Sequence, residues 1–112
     1  MNIRLSRNMI RFRLSEDEFF ALREKRTLNE QIAFPGGGIL SFSIFVDKKL
    51  EQTKKESELT YTGNHLKLTV CPAVLNRLCE SASKECGFSG EAAVEGGLAI
   101  RYGLEIDLFT RS

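Results

Sequence analysis

The sequence predicts an α+β domain in which two helices pack on a single curved antiparallel sheet of about eight strands, curved enough to form a half-barrel. Many segments alternate apolar and polar residues, which is typical of strands with one buried face. Short breaks rich in glycine or asparagine separate these segments and indicate hairpins, so neighbouring strands are expected to be antiparallel. The predicted order is β-β-α-β-β-β-β-α-β-β, and 112 residues are enough for one domain, 1–112.

Two strands at the start of the chain form the first predicted hairpin. Apolar residues alternate with basic or polar ones on both sides of a break at Arg7-Asn8. This phase predicts a set of core residues, namely Ile3, Leu5, Ile10, Phe12 and Leu14. The opposite, solvent-facing side then carries Arg4, Arg11 and Arg13.

A helix over 16–25 is expected after this hairpin. Ser15 and Glu18 have the spacing of a capping box. Acidic residues fill the first turn and basic residues the last, as the helix dipole favours. Phe19 and Leu22 form the expected buried face.

The middle of the chain contains four predicted strands, at 27–34, 39–46, 59–62 and 65–70. Their expected inward residues are Leu28, Ile32, Phe34, Leu40, Phe42, Ile44, Val46, Leu66, Leu68 and Val70. Residues 47–57 are charged and lack an apolar period, so we predict a solvated, mobile loop there.

A second helix and two strands complete the prediction. Pro72 occupies the favoured first position of the helix, and Gly87 is a plausible end. A weak strand at 88–94 precedes a long one at 98–109. The long strand directs Leu98, Ile100, Tyr102, Leu104, Ile106 and Leu108 inward and Arg101, Glu105 and Asp107 outward. Its unbroken apolar face places it inside the sheet near the first hairpin. The two ββα units resemble each other in order, without a visible sequence repeat.

The composition of the chain limits the cellular compartments and the partners that we expect. The formal net charge of +1 gives no overall field that attracts nucleic acid or anionic lipid. We identify no signal peptide and no apolar run near the ~18 residues of a transmembrane helix, so no membrane partner is expected. Three cysteines, an odd number, favour the reducing cytoplasm, with Cys71, Cys79 and Cys86 as small apolar residues.

The sequence does not indicate metal, cofactor or nucleophile chemistry. His65 is the single histidine and is expected to be exposed beside a turn, and no metal-ligand spacing occurs. Gly36-Gly37-Gly38 precedes a strand rather than the helix of a phosphate loop. No serine lies in a nucleophile elbow. We therefore assign no catalytic residue, no metal and no cofactor.

Five residues are candidates for ligand binding. Arg4, Arg11 and Arg13 share a strand face, and guanidinium groups suit bidentate contacts with phosphate or carboxylate. Glu105 and Asp107 lie two residues apart on one face, where they can act as an acid–base pair or contact a ligand. The alternative is that these residues form cross-strand ion pairs or simply face solvent.

The opening Asn2-Ile3-Arg4-Leu5 and the segment Asn8 to Ser15 resemble the first hairpin of a family of small, uncharacterised bacterial proteins. Leu66 to Pro72 is similar to the family's strand before its second helix, and Leu104 to Leu108 to its C-terminal strand. The charged loop at 47–57 is longer than in the family. The resemblance implies a small bacterial cytosolic protein of unknown function and supplies no activity or site residues.

Three functional hypotheses follow. The leading one is a small cytoplasmic binding or protein-interaction module without catalytic machinery, whose partner is an unknown protein or a small anionic ligand. Self-association through a sheet edge is compatible with it. The alternative is nucleic-acid or nucleotide binding through the arginine-rich sheet face. The second alternative is a small enzyme that uses Glu105 and Asp107.

Overall fold

The computed structural model describes residues 1–80, 85–94 and 98–107, with the side chains at 79, 80, 85, 86, 94, 98 and 107 outside this description. Within these ranges the order of strands and α-helices agrees with the prediction, and one 3-10 helix is added. The elements are β1 (Asn2–Ser6), β2 (Met9–Ser15), α1 (Glu16–Lys25), β3 (Thr27–Ala33), β4 (Ile39–Val46), the 3-10 helix (Lys48–Thr53), β5 (Ser57–Thr62), β6 (His65–Val70), α2 (Pro72–Glu80), β7 (Glu85–Val94) and β8 (Leu98–Asp107).

The prediction of one antiparallel sheet is wrong, because the strands form two four-stranded sheets that do not close. Sheet A has the order β1-β2-β8-β7, and sheet B has the order β3-β4-β6-β5. The outer pairs of each sheet are antiparallel hairpins, but the central pairs β2–β8 and β4–β6 are parallel. Each sheet therefore joins two hairpins that are not consecutive strands of one meander: β1–β2 with β7–β8 in sheet A, and β3–β4 with β5–β6 in sheet B. Helices α1 and α2 lead the chain from one sheet to the other.

The inner faces of both sheets share one core with the helices. The largest fully buried side chains are Phe12, Leu14, Leu22, Ile44, Leu68, Leu104, Val70 and Val74. Burial of each such side chain stabilises the fold by roughly 1.5–3 kcal/mol relative to exposure. The predicted inward phase is therefore confirmed for β2, for the centre of β4, for β6 and for the described centre of β8.

Helix α1 begins where the sequence predicts. The Ser15 hydroxyl accepts from the Glu18 backbone N–H at 3.2 Å, and the Glu18 carboxylate accepts from the Ser15 N–H at 2.9 Å. The α-amino group of Met1 pairs with Glu18 and, at 3.0 Å, with Glu30. Partial burial disfavours charge on both partners, but the hydrogen bonds outweigh it, so the pKa of the Met1 amino group is raised and the pKa of Glu18 is lowered.

Several predicted core positions are exposed because they lie on edge strands or near a hairpin tip. Leu5 on edge strand β1 is 62% exposed, and Ile32 and Phe34 at the end of β3 are 38% and 51% exposed. The loop predicted at 47–57 instead contains the 3-10 helix, and Leu50 within it is buried in the core. A single apolar residue thus anchors a segment whose composition is otherwise polar.

The chain is an internal structural duplication. A shift of 56 residues maps the β1–β2 register onto β5–β6, so that the pair Leu5–Ile10 corresponds to Tyr61–Leu66. A shift of 60 residues maps the β3–β4 register onto β7–β8. The parallel pairs β2–β8 and β6–β4 obey both shifts together. The positions of sheet A at 2–14, 87–93 and 99–106 that lie in strands therefore have structural counterparts in sheet B, although the sequences of the halves do not repeat visibly.

Among the described residues, the helices are too short and too polar to span a membrane. The thiol of Cys71 is free and buried, as the sequence predicts. The side chains of Cys79 and Cys86, and the predicted inward residues Leu98 and Leu108, lie outside the described part of the chain.

Candidate functional site

The candidate site is the outer face of sheet A, which turns away from the core. Strand register places its residues in rows across β1, β2, β8 and β7. The middle row runs through Arg4, Arg11, Gly103 and Ser89. The two flanking rows are Ser6, Met9, Arg101 and Glu91 on one side, and Asn2, Arg13, Glu105 and Gly87 on the other. We call this surface the arginine face.

The structure brings together the arginines that the sequence selected. Arg4 and Arg11 are directly opposed across the β1–β2 pair, and Arg13 is the register partner of Glu105. The backbone of Asp107 pairs with Ser15, while its side chain lies outside the described residues. Alternation along the strands therefore located the face correctly, and the parallel β2–β8 pair adds Glu105 to it.

One of the expected ion pairs is present. Arg11 Nη1 lies 3.7 Å from Glu105 Oε1, and the two side chains are 49% and 36% exposed. An exposed pair at this separation stabilises the fold by only ~0–1 kcal/mol. The contact therefore leaves the Arg11 guanidinium able to exchange Glu105 for another anion.

The centre of the arginine face is hollow because it lacks side chains. A depression of about 980 Å³ is lined by Arg11, Arg101, Glu91 and Glu105 over a floor that includes Gly87 and Gly103. A Cβ atom added at Gly103 would lie 3.3 Å from the Phe88 carbonyl oxygen, which is tighter than ordinary packing. A second hollow of about 690 Å³ extends between Arg4 and Arg11.

Arg101 is the site residue that sequence reasoning missed as a candidate. It lies in register with Met9 on β2 and Glu91 on β7, and its backbone N–H donates to the Asn8 carbonyl at 2.8 Å. Within the described ranges, the guanidinium groups of Arg4 and Arg101 have no ion pair. The outward phase of Arg101 beside Glu105 was visible in the sequence, but only the pairing of β2 with β8 brings Arg101 next to Arg11.

Like charges directly opposed across a strand pair destabilise a sheet. Arg4 and Arg11 are in this arrangement, and Arg101 adds a third cation one row away. Of the described carboxylates on the face, Glu105 lies within ion-pair distance of Arg11. Arg4, Arg11 and Arg101 therefore bring three cations into two neighbouring rows of the face.

The outer face of sheet B shows which residues the same backbone arrangement carries at the equivalent positions. The charged residues of the arginine face whose side chains the structure describes are Arg4, Arg11, Arg13, Arg101, Glu91 and Glu105. Their counterparts under the two register shifts are Thr60, Lys67, Thr69, Ser41, Gln31 and Phe45. Lys67 is the one charged residue of the second set, and it stacks over the Phe45 ring at 4.9 Å. A solvated outer face therefore does not require arginines here.

Sheet B carries a hydrogen-bonded pair that the sequence did not predict. Ser43 Oγ and His65 Nε2 are 2.8 Å apart on neighbouring parallel strands, so His65 is half-buried rather than exposed. Ser43 is only 3% exposed, which keeps a substrate from reaching its hydroxyl. We assign the pair a structural role, since it satisfies a buried polar group.

The chemistry that the arginine face can perform is recognition. Guanidinium groups remain protonated at physiological pH and offer paired donors to phosphate or carboxylate oxygens. In the part of the chain that the structure describes, no group of three His, Cys, Asp or Glu side chains could hold a metal ion. The residues present on the face therefore suit an anion held by hydrogen bonds and charge.

Comparison with known proteins gives a family. A model of a family of unknown function (DUF7009) matches residues 1–109, which agrees with the resemblance drawn from the sequence. No curated protein and no solved structure matches the chain.

Proposed function

The chain belongs to this family of unknown function, and from the geometry of the arginine face we propose that it is a small, non-catalytic binding module for an anionic ligand. The ligand carries phosphate or carboxylate groups and occupies the hollow over Gly103. Arg11 and Arg101 contact it from the rim of this hollow, and Arg4 borders the neighbouring hollow, which Arg11 also lines. No chemical step is part of this proposal.

The observation that supports the proposal best is the contrast between the two outer faces. At the equivalent positions the duplicated fold places four arginines on one face and a single lysine, Lys67, on the other. Directly opposed arginines lower the stability of a sheet, so the pair Arg4–Arg11, where sheet B has Thr60–Lys67, favours a role in recognition. Glycines at Gly87 and Gly103 add the space that a ligand requires.

A small ligand fits the face better than a nucleic acid. The described outer residues of sheet A include no aromatic side chain on which a base can stack, since Phe12 and Phe88 pack with the core. Nucleic-acid binding is therefore the alternative, and titration with an oligonucleotide distinguishes it from the binding of a small anion.

The proposal includes a bacterial, cytoplasmic setting. The family resemblance and the odd number of cysteines support it. In a reducing compartment, phosphorylated and carboxylated metabolites are abundant anions of the size that the hollow accepts.

Replacing Arg101 with alanine is expected to weaken anion binding about tenfold or more, because a hydrogen bond to a charged group contributes ~1.5–3 kcal/mol. Inorganic pyrophosphate and citrate, titrated by calorimetry at fixed ionic strength, are suitable probes of phosphate and carboxylate binding. Lys67→Ala is the matched control, since Lys67 is the sheet B counterpart of Arg11 and should leave both affinities unchanged.

Two results would count against the proposal. Equal affinities of the wild type and Arg101→Ala for these anions would show that the arginine face does not bind them. Tight binding of a single-stranded oligonucleotide, with a log–log salt slope of about −2 to −3, would favour the nucleic-acid alternative.

A further inference from the structure

The tip of sheet B is uncharged and apolar over an unusually long stretch. Residues 31–46 and 59–66 contain no Asp, Glu, Lys or Arg. They include four of the large hydrophobic side chains that are most exposed in the described part of the chain, namely Ile32, Phe34, Ile39 and Tyr61, at 38%, 51%, 48% and 61%. Ile32, Phe34 and Ile39 flank the β3–β4 turn, and exposed apolar side chains concentrated at one end of a sheet mark a candidate interaction site.

The same tip has an open sheet edge. β3 is the outer strand of sheet B and pairs only with β4. The Phe34 N–H donates to the Gly38 carbonyl at 2.7 Å. Because bonding alternates along an antiparallel pair, the amides of Gln31 and Ala33 point away from β4. These two donors and their carbonyls have no backbone partner among the described residues, so they are available to a further strand.

This edge lacks the features that usually prevent strand pairing. β3 has seven residues in continuous register with β4, without a bulge or a proline. Its one charged residue, Glu30, lies on the core side and is paired with the Met1 amino group. The other edge strand of the sheet, β5, carries Glu58, which faces outward opposite Thr69.

We propose that a second copy of this chain docks on the tip of sheet B, with the two β3 strands paired antiparallel about a twofold axis. About a twofold axis the same segment forms both sides of the interface, so a charged segment meets like charges and an uncharged one does not. The stretch from 31 to 46 contains no charged residue. Ile32 and Phe34 are buried on one side of the joined sheet and Ile39 on the other.

The inference is independent of the proposed function, because the arginine face lies on the other sheet. Light scattering after gel filtration should give twice the 12.6 kDa mass of the chain at about 0.1 mM, well above the micromolar range in which modest interfaces dissociate. Phe34→Glu should weaken the dimer at least about tenfold, because it places a carboxylate in an interface that has no cation to pair with it. Ala33→Pro should do the same by removing an outward amide.

Phe20→Glu is the matched control, because Phe20 on α1 is 50% exposed and lies away from the tip. The control should remain dimeric, and circular dichroism should show that all three variants are folded. A wild type that is monomeric at about 0.1 mM would overturn the proposal. So would a dimer that survives both tip variants, or one that Phe20→Glu also dissociates. Monomeric wild type that sediments with phosphatidylcholine vesicles would assign the tip to a lipid surface instead.

Discussion

Leu104→Ala is expected to lower the free energy of unfolding by about 2–5 kcal/mol, the range for a large apolar side chain removed from a packed core. Leu104 is fully buried on β8, between its register partners Phe12 on β2 and Phe88 on β7. The surrounding side chains come from both strands and cannot all move into the space that is left. Urea denaturation followed by circular dichroism measures the change.

Leu5→Ala is the control for this substitution. Leu5 was assigned to the core by its strand phase, but it is 62% exposed on edge strand β1. Its removal should change the free energy of unfolding by no more than about 0.5 kcal/mol. If the two substitutions cost the same, the assignment of inner and outer positions in sheet A is wrong.

Gly90→Ala is expected to cost about 1–3 kcal/mol, although alanine is normally the better strand residue. An added Cβ would lie 2.7 Å from both Cζ and the hydroxyl oxygen of Tyr102. The Tyr102 ring is buried, and its hydroxyl is 2.7 Å from Ser57 Oγ on β5. The ring must therefore shift, which breaks a contact between the two sheets.

The comparison for Gly90 is Gly38 in the β3–β4 turn, where an added Cβ has no neighbour within 4 Å. Gly38→Ala should leave the free energy of unfolding nearly unchanged when both glycine variants are compared by urea denaturation. Combining Gly90→Ala with Tyr102→Leu should restore part of the loss, since the shorter side chain ends before the new Cβ. Additive losses in the double variant would show that the two residues do not compete for space.

Periodicity predicted the elements because it is a local property. The alternation in β2 and β8 reports which side chains face the core, and the capping box of Ser15 and Glu18 reports where α1 starts. Both signals lie within a few residues. The same alternation misplaced Leu5, because it cannot show that a strand lies at a sheet edge.

The two-sheet arrangement could not be predicted in this way. Hairpin turns fix the antiparallel pairs, but nothing local shows that β2 pairs with β8, whose residues are 92 positions later in register, as in Met9–Arg101. Nor does composition show that Leu50 in a charged segment reaches the core. These contacts depend on how the hairpins pack, which is a property of the whole fold.

Only part of the candidate site could be predicted from the sequence, because strand phase is a local property and strand pairing is not. Arg4 and Arg11 lie on one hairpin, so their common face could be derived from phase alone. Arg101 and Gly103 come from β8, and their place beside Arg11 depends on the parallel pair. The hollow itself is made by absent side chains, which strand phase does not report.

Mapping of backbone amide shifts during a pyrophosphate titration tests most directly whether the arginine face binds anions. The shifts should cluster on Arg4, Arg11, Arg101 and Gly103 and saturate together, and in Arg101→Ala they should require at least about tenfold more pyrophosphate to saturate. The outer face of sheet B, with the same backbone and one lysine, serves as the reference within the molecule. Shifts that are as large around Lys67 as around Arg11, or no saturable shifts at all, would contradict the account.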